Sequence, residues 1–312
     1  MRHSTLAQKL SQLEIPDHIY HWLVEILRDR MHVTRYAKLI STLASINASV
    51  VQGSGIGPSS YIVGASDLHP IHAQNKMKKY ADDTYLLIGA SMRNTTQEEL
   101  DNVSDWAERN NLRLNAGKSK EMIIFRRSSK AKIAPPELEI ERVTSMLILG
   151  VTINDNLGAT SHVNAVLSTC SGSLFALRVL RAHGLPSSAL HEVARATTIS
   201  RLLYASPAWW GYTTAIDRLK LQRFLQKVKR LGYLPSHYPD LDRLIDDADF
   251  RLLKCVIWNL NHVLRSLFPP IVKRPYALRS RPHNFELPRK DDFNFISRVL
   301  FKTVRSNVNS KN

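Results

Sequence analysis

At 312 residues the chain can bury a sizeable core and hold about two domains. Hydrophobic residues at 44% against 22% charged exclude global disorder, whereas a net charge of +16 and a pI near 10 favour a polyanionic partner, nucleic acid first. The N-terminus has no signal-peptide core and nothing approaches ~18 uninterrupted apolar residues, so an intracellular protein, nuclear or cytoplasmic, neither secreted nor membrane-bound, is expected.

Leu6, Leu10 and Leu13 predict a first helix ended by Pro16, and Ile19, Trp22, Leu23, Ile26 and Leu27 a second from about Asp17 to Arg30. Strands are expected near 33–38 and 46–52, before a Gly-rich turn. Gly57-Pro58-Ser59-Ser60 should then open a helix with Pro58 in its first turn. Residues 76–89 read as a hairpin, and Thr96 to Asn110 as an amphipathic helix with Leu100, Val103, Trp106 and Ala107 inward. Met122 to Phe125 should return as a strand, which makes this part an α+β unit.

Arg126 to Pro136 is basic and ends in Pro-Pro, as a connector would, and Leu138 to Ile153 reads as a second hairpin. From about Ser161 to Leu267 the pattern is helical, through Leu167, Leu174 and Leu177, then Leu190 to Tyr204. Trp209-Trp210 fits core better than a stacking platform. Cys170 and Cys255 stand far apart without CxxC or CxxH spacing, so they are expected as free core thiols rather than zinc ligands or a disulfide. Residues 251–312 hold 13 Lys/Arg against 3 Asp/Glu. With Phe268-Pro269-Pro270, Tyr276, Arg281-Pro282-His283 and Phe285 interleaved, they suggest an extended segment lying on phosphate.

The hairpin carries the most informative stretch, Tyr80-Ala81-Asp82-Asp83, with Lys78-Lys79 before it and Thr84 to Ile88 after it. Two carboxylates side by side in an apolar hairpin cost several kcal/mol to bury unless compensated. Hard divalent cations, Mg²⁺ or Mn²⁺, would compensate, and such a pair can serve two-metal phosphoryl transfer. Asp246-Asp247 and Asp291-Asp292 stand in polar, helix-end or loop contexts and read as solvated acids.

Motifs flank the pair on both sides: Val50 to Tyr61 (VVQGSGIGPSSY) upstream, Trp106 to Lys120 (WAERNNLRLNAGKSK) and Leu147 to Ile153 (LILGVTI) downstream. In that order and spacing, from residue 1 nearly to the C-terminus, the chain strongly resembles the reverse transcriptases of non-LTR (LINE-type) retrotransposons. The resemblance implies a polymerase palm at 1–130, an antiparallel sheet with helices. It further implies a connector and primer-grip-like hairpin at 131–160, an all-α thumb-like domain at 161–268 and a basic, Pro-containing segment at 269–312. Asp82 would bind Mg²⁺ (or Mn²⁺), with Asp83 supporting it, and Tyr80 would pack by the primer end or anchor the hairpin. Gln52 would contact the incoming nucleotide, and Gly53 and its neighbours would let backbone approach phosphate and base. Lys118, or Lys120 if the register slips, would meet the pyrophosphate leaving group. Leu149-Gly150-Val151 would hold the primer backbone or simply be sheet core.

The implied partners are an RNA template, a DNA primer and dNTPs, with no membrane. In this family a strand bearing another metal-binding aspartate precedes the residues that Met1 to Leu6 resemble; no acid occurs before Glu14, and Asp17 suits a helix N-cap. The expectation is therefore an incomplete, N-terminally truncated palm, inactive alone. The alternative is a non-catalytic nucleic-acid-binding protein that uses its basic C-terminal segment.

Overall fold

Pro16 stops one apolar repeat and starts the next, so the chain opens with two helices, α1 (His3–Leu10) and α2 (Asp17–Leu27). The structure, a computed structural model, describes residues 1–50, 53–125, 140–272 and 283–309, with side chains to residue 304. Met1, Leu6 and Leu10 are buried together, with Leu23 and Leu27 of α2 packed against them. Ile19 and Trp22 are exposed, because α1 covers only the Leu23–Leu27 edge of the α2 stripe.

The strands expected near 33–38 and 46–52 resolve into four shorter ones, β1 (Arg30–His32), β2 (Arg35–Tyr36), β3 (Leu39–Ile40) and β4 (Ala44–Ile46). β2 and β3 pair antiparallel inside an antiparallel β1–β4 pair, with Ala37 turned to positive φ in the inner hairpin. Then come α3 (Gly57–Gly64), with Pro58 in its first turn, the hairpin β5 (Lys76–Tyr80) and β6 (Asp83–Leu87), and α4 (Thr96–Arg109). Ala65, Leu68, Trp106 and Ala107 bury together, with Tyr61, Met77 and Val103 on them; this core joins α3, the hairpin and α4.

The expected strand Met122–Phe125 is not one. The strand here is β7 (Lys120–Glu121), which pairs in parallel with β8 (Glu141–Arg142), and the ion pairs Lys120–Glu141 and Arg142–Glu121 cross the two strands. Among the described residues every sheet is two-stranded, so the molecule is α+β with small, mostly antiparallel sheets. The expected connector at 126–136 lies outside the described residues.

β9 (Ser145–Ile148) and β10 (Val151–Asn154) form the second hairpin. Helices follow: α5 (Thr160–Ala182), α6 (Ser187–Ala194), α7 (Ser200–Leu203), α8 (Ser206–Trp209), α9 (Ala215–Arg230) and α10 (Leu241–Trp258). Their core runs from Val151 of the hairpin through Val163, Cys170 and Leu177 to Leu221, Leu225 and Ile245, and it includes Trp209 and Trp210. By length and composition alone α5 is apolar enough to cross a membrane, unlike the sequence expectation, yet its inner face supplies this core.

Cys255 departs from expectation. It is exposed, because Leu253 and Val256 take the inner face of α10. Asp246 and Asp247 lie inside α10 rather than at its end, and Asp246 is paired with Lys302.

The C-terminal part also departs from the extended segment expected. It carries a helix, α11 (Phe295–Asn309), and Phe268, His283 and Phe285 are buried, the two phenylalanines with Leu253, Val299 and Leu300, because apolar rings find more contact there than on solvent. Tyr276, Arg281 and Pro282 lie outside the described residues. The chain divides into two compact units, residues 1–119 with 137–140 and residues 120–136 with 141–312.

Candidate functional site

Tyr80 faces Asp83 across the β5–β6 ladder, which leaves Ala81 and Asp82 as a two-residue tip. Ala81 has φ +49°, a left-handed conformation costing about 1–2 kcal/mol for a residue with a Cβ. The hairpin accepts this because a tip two residues long must reverse the chain there.

The tip projects into water. Asp82 and Asp83 are both exposed, which overturns the expectation of a buried acid pair, and with it the folding cost that a cation would have had to offset. Tyr85 donates its hydroxyl to Asp83 Oδ2 at 3.3 Å from two residues along the same face of β6. Tyr80 is 64% exposed, so its ring stands beside the acids in solvent and does not anchor a core.

The hairpin is tied to α3 one rung from its turn. Lys79 of β5 donates its ammonium to the carbonyl oxygens of Ala65 and Leu68, at and beyond the C-terminal end of α3, where a cation suits the helix dipole. Burial lowers its pKa; the Asp67 charge opposes this and the Lys9 charge adds to it. At the same end of α3, Lys9 of α1 donates to Gly64 O at 2.6 Å and Asp67 Oδ1 at 2.8 Å, and also to Asn110 Oδ1 at 2.9 Å. Tyr61 of α3 has its phenol pKa raised by burial and then by the negative charge of Asp82.

Glu99 of α4 fastens the loop that enters β5. The side chain is 0% exposed and accepts from Ile71 N at 3.0 Å, His72 N at 3.0 Å and Asn75 Nδ2 at 2.9 Å. Burial alone would raise its pKa, but the donors from Asn75, His72 and Ile71 outweigh it and hold the carboxyl below its ordinary value. Sequence reading passed Glu99 over. It stands four residues before Val103 and seven before Trp106, on the apolar stripe of α4, and an acid in such a place signals a buried partner.

The remaining expected residues lie around this frame. Gly53 has φ +81° in the turn before α3, with open space where a side chain would stand, and Gln52 lies outside the described residues. Lys118 closes a 3-10 turn capped by Asn115, whose Oδ1 accepts from Lys118 N at 3.2 Å, and its ammonium is exposed. Among the described residues no hydrogen bond or ion pair joins Lys118 to Asp82 or Asp83, and Lys120 is paired with Glu141. In the β9–β10 turn, Leu149 and Gly150 have φ +47° and +83°, and Tyr204 Oη donates to Leu149 O at 2.9 Å.

Asp82 and Asp83 offer the hard, accessible oxygen donors that magnesium or manganese prefers. Among the described residues, however, no group of three or more His, Cys, Asp and Glu is placed to hold a metal. Two carboxylates are too few for a two-ion centre, so these residues do not by themselves complete one.

Comparison with known proteins agrees with the motif order. Residues 1–153 match the family model described as reverse transcriptase (RNA-dependent DNA polymerase). Among curated relatives, all from Drosophila melanogaster, the probable RNA-directed DNA polymerase from transposon BS is 29% identical over 192 residues, 57% of this chain and 21% of that protein. That from transposon X-element is 23% identical over 248 residues, 73% of this chain and 26% of the relative. The RNA-directed DNA polymerase from mobile element jockey is 28% identical over 177 residues, 53% and 19%. The chain thus spans about a fifth to a quarter of the length of these relatives. No solved structure matches it.

Proposed function

We propose, from the premise that this chain is related to the reverse transcriptases of non-LTR (LINE-like) retrotransposons, that it carries part of an RNA-templated DNA polymerase acting inside the cell. The observation that supports this reading most directly is the Tyr80–Asp83 hairpin. Its two acids are exposed at the turn, while Lys79 ties β5 to the end of α3 and Glu99 ties the loop that enters β5 to α4. A tethered strand and an accessible acidic turn are what positioning a primer end requires.

In this reading Asp82 is the principal ion-binding acid, Asp83 supports it, and Tyr80 offers its ring beside the primer terminus. Gly53 keeps the turn before α3 open to a template base or phosphate, with Gln52 next to it. The β9–β10 turn at Leu149-Gly150-Val151 holds the primer backbone, and Lys118 meets the leaving pyrophosphate. An RNA template, a DNA primer and dNTPs are the substrates. Because two carboxylates do not complete a metal centre, the chain alone binds primer–template without extending it at an appreciable rate.

Binding and extension measured on the same samples test this. The purified chain should bind an RNA–DNA primer–template in a salt-dependent way, and dNTPs with Mg²⁺ or Mn²⁺ should give little or no extension. Any residual extension should vanish in Asp82→Asn. Absence of binding at low salt, or extension indifferent to Asp82→Asn, would overturn the reading.

A second reading, a nucleic-acid-binding protein without catalysis, draws on the same incomplete donor set. It would also survive Asp82→Asn, but Phe268, His283 and Phe285 are buried and so do not face a strand.

A further inference from the structure

Helix α10 is two-faced along its whole length. Leu241, Ile245, Asp249, Leu253 and Val256 are buried on one side, where Arg298 holds Asp249. On the opposite side Arg243, Asp247, Phe250, Arg251, Lys254 and Trp258 are all exposed. Helical spacing gathers these six into an arc of about 100° and a run of about 22 Å.

This stripe is not an ordinary solvated face. Trp258 is 83% exposed, and Leu260 and Val263, two and five residues further on, are exposed as well. The acids of α10 that form ion pairs are Asp246, with Lys302, and Asp249, with Arg298. Among the described residues no ion pair uses Arg243, Asp247, Arg251 or Lys254. Arg251 donates Nε to the backbone oxygen of Asp247 at 3.2 Å, and Lys254 lies 4.7 Å from the centre of the Phe250 ring.

Turned end for end, the stripe complements itself. Two copies of α10 can be laid antiparallel about a twofold axis passing between residues 250 and 251. Asp247 of each copy then stands opposite Lys254 of the other, so the two ion pairs form together. The same axis brings the two Phe250 rings to one side of the seam and sets Trp258 of each copy near Arg243 of the other, an indole face for a guanidinium. The two Arg251 side chains meet at the opposite rim, where solvent and salt screen them.

We propose that the outward face of α10 is the interface of a homodimer, and that its occupant is a second copy of this chain. The inference goes beyond the polymerase reading and does not depend on it. A phosphate strand or an anionic bilayer would suit the cations but not Asp247, which lies within the stripe; a second copy suits both signs and covers the rings. The net charge of +16 opposes association at a distance, but at physiological salt charges more than about 8 Å apart are largely screened. A single helix stripe is smaller than a standard interface, so the dimer is a weak, concentration-dependent one.

The test is sedimentation velocity of the full chain over a range of concentrations, at physiological salt and after nuclease treatment. The parent chain should show a monomer–dimer equilibrium. Asp247→Lys and Lys254→Asp should each keep the fold by circular dichroism. Each should raise the dissociation constant about tenfold or more, because the twofold axis turns two attractive pairs into two repulsive ones. The two single variants mixed in equal amounts should associate with each other about as tightly as the parent does, since the lysines of one meet the aspartates of the other. The double variant Asp247→Lys/Lys254→Asp should dimerise like the parent, and Trp258→Ser should weaken the dimer.

A parent chain that stays monomeric throughout, or a dimer indifferent to both single variants, would overturn the proposal. So would single variants that mixing does not rescue, because α10 would then meet some other surface. Dimers seen only before nuclease treatment would mean bridging by nucleic acid. A monomeric parent that binds anionic lipid vesicles and loses them in Trp258→Ser would mean a membrane contact. Either result removes the interface.

Discussion

Tyr204 lies directly against the β9–β10 turn: its hydroxyl donates to Leu149 O at 2.9 Å, and its ring edge comes within 3.0 Å of where a Cβ on Gly150 would stand. Gly150 also has φ +83°, a conformation open to glycine at no steric cost. Gly150→Ala must therefore strain the backbone and push the Tyr204 ring away, for a loss of about 1–3 kcal/mol in thermal or urea unfolding. Tyr204→Phe removes only the donor and should cost about 0.5–1.5 kcal/mol. An unaffected Gly150→Ala would show that the turn is not held as described.

The hairpin of the acid pair depends on Lys79. Lys79→Met keeps the aliphatic stem and removes the ammonium from Ala65 O and Leu68 O, which leaves both carbonyls short of a donor. Amide exchange within Met77–Tyr80 and Asp83–Leu86 should accelerate, and global stability should fall by about 1–3 kcal/mol. Unchanged exchange in those strands would mean that the hairpin is held by its apolar face alone.

Asp249 of α10, 3% exposed, receives Arg298 Nε on Oδ2 at 3.0 Å and Nη2 on Oδ1 at 3.1 Å, a two-pronged bond that ties α11 to α10. Burial raises the pKa of Asp249, and the hydrogen bond and charge of Arg298 oppose the rise. Arg298→Met strands a buried carboxylate and should cost about 3–5 kcal/mol in urea unfolding, with the Asp249 pKa climbing further. Adding Asp249→Leu should recover much of that loss; an unimproved double variant would contradict the assignment.

Acid stability follows from two buried carboxylates whose folded pKa values are depressed. Burial alone would raise both. At Glu99 the donors from Asn75, His72 and Ile71 outweigh burial, and at Asp217 those from Thr160 and Thr214 do. The unfolded chain titrates them near the ordinary values of about 4, so their stabilisation is whole above that pH. It is lost as the pH falls through the lower, folded values. Glu99→Gln and Asp217→Asn should be less stable at neutral pH and lose less stability on acidification below about pH 4 than the parent chain. Equal acid slopes in parent and variants would refute the depressed values.

The order of motifs was legible without coordinates, because it depends on local chemistry. Pro16 separates two helices, Pro58 opens a third, and the residues around Tyr80 to Asp83 can reverse only as a short hairpin. What surrounds each element was not legible. The acids of the hairpin looked buried because their neighbours in sequence are apolar, yet the tip projects past the layer that those neighbours cover. Met122 to Phe125 has the composition of a strand but makes only an isolated backbone bond, from Phe125 N to Asp155 O, and forms no ladder. Phe268, His283 and Phe285 looked like a nucleic-acid surface and became core, because α11 returned to cover them.

The partners of Glu99 and Tyr204 likewise emerged only when distant segments met. Periodicity reports which face of an element is apolar; which neighbour covers it, and which polar group finds a donor there, is decided by contacts between residues far apart in the chain. The sequence by itself determined the elements, the family resemblance and the charge. Tertiary packing alone decided which carboxylates are buried and held and which stand in water.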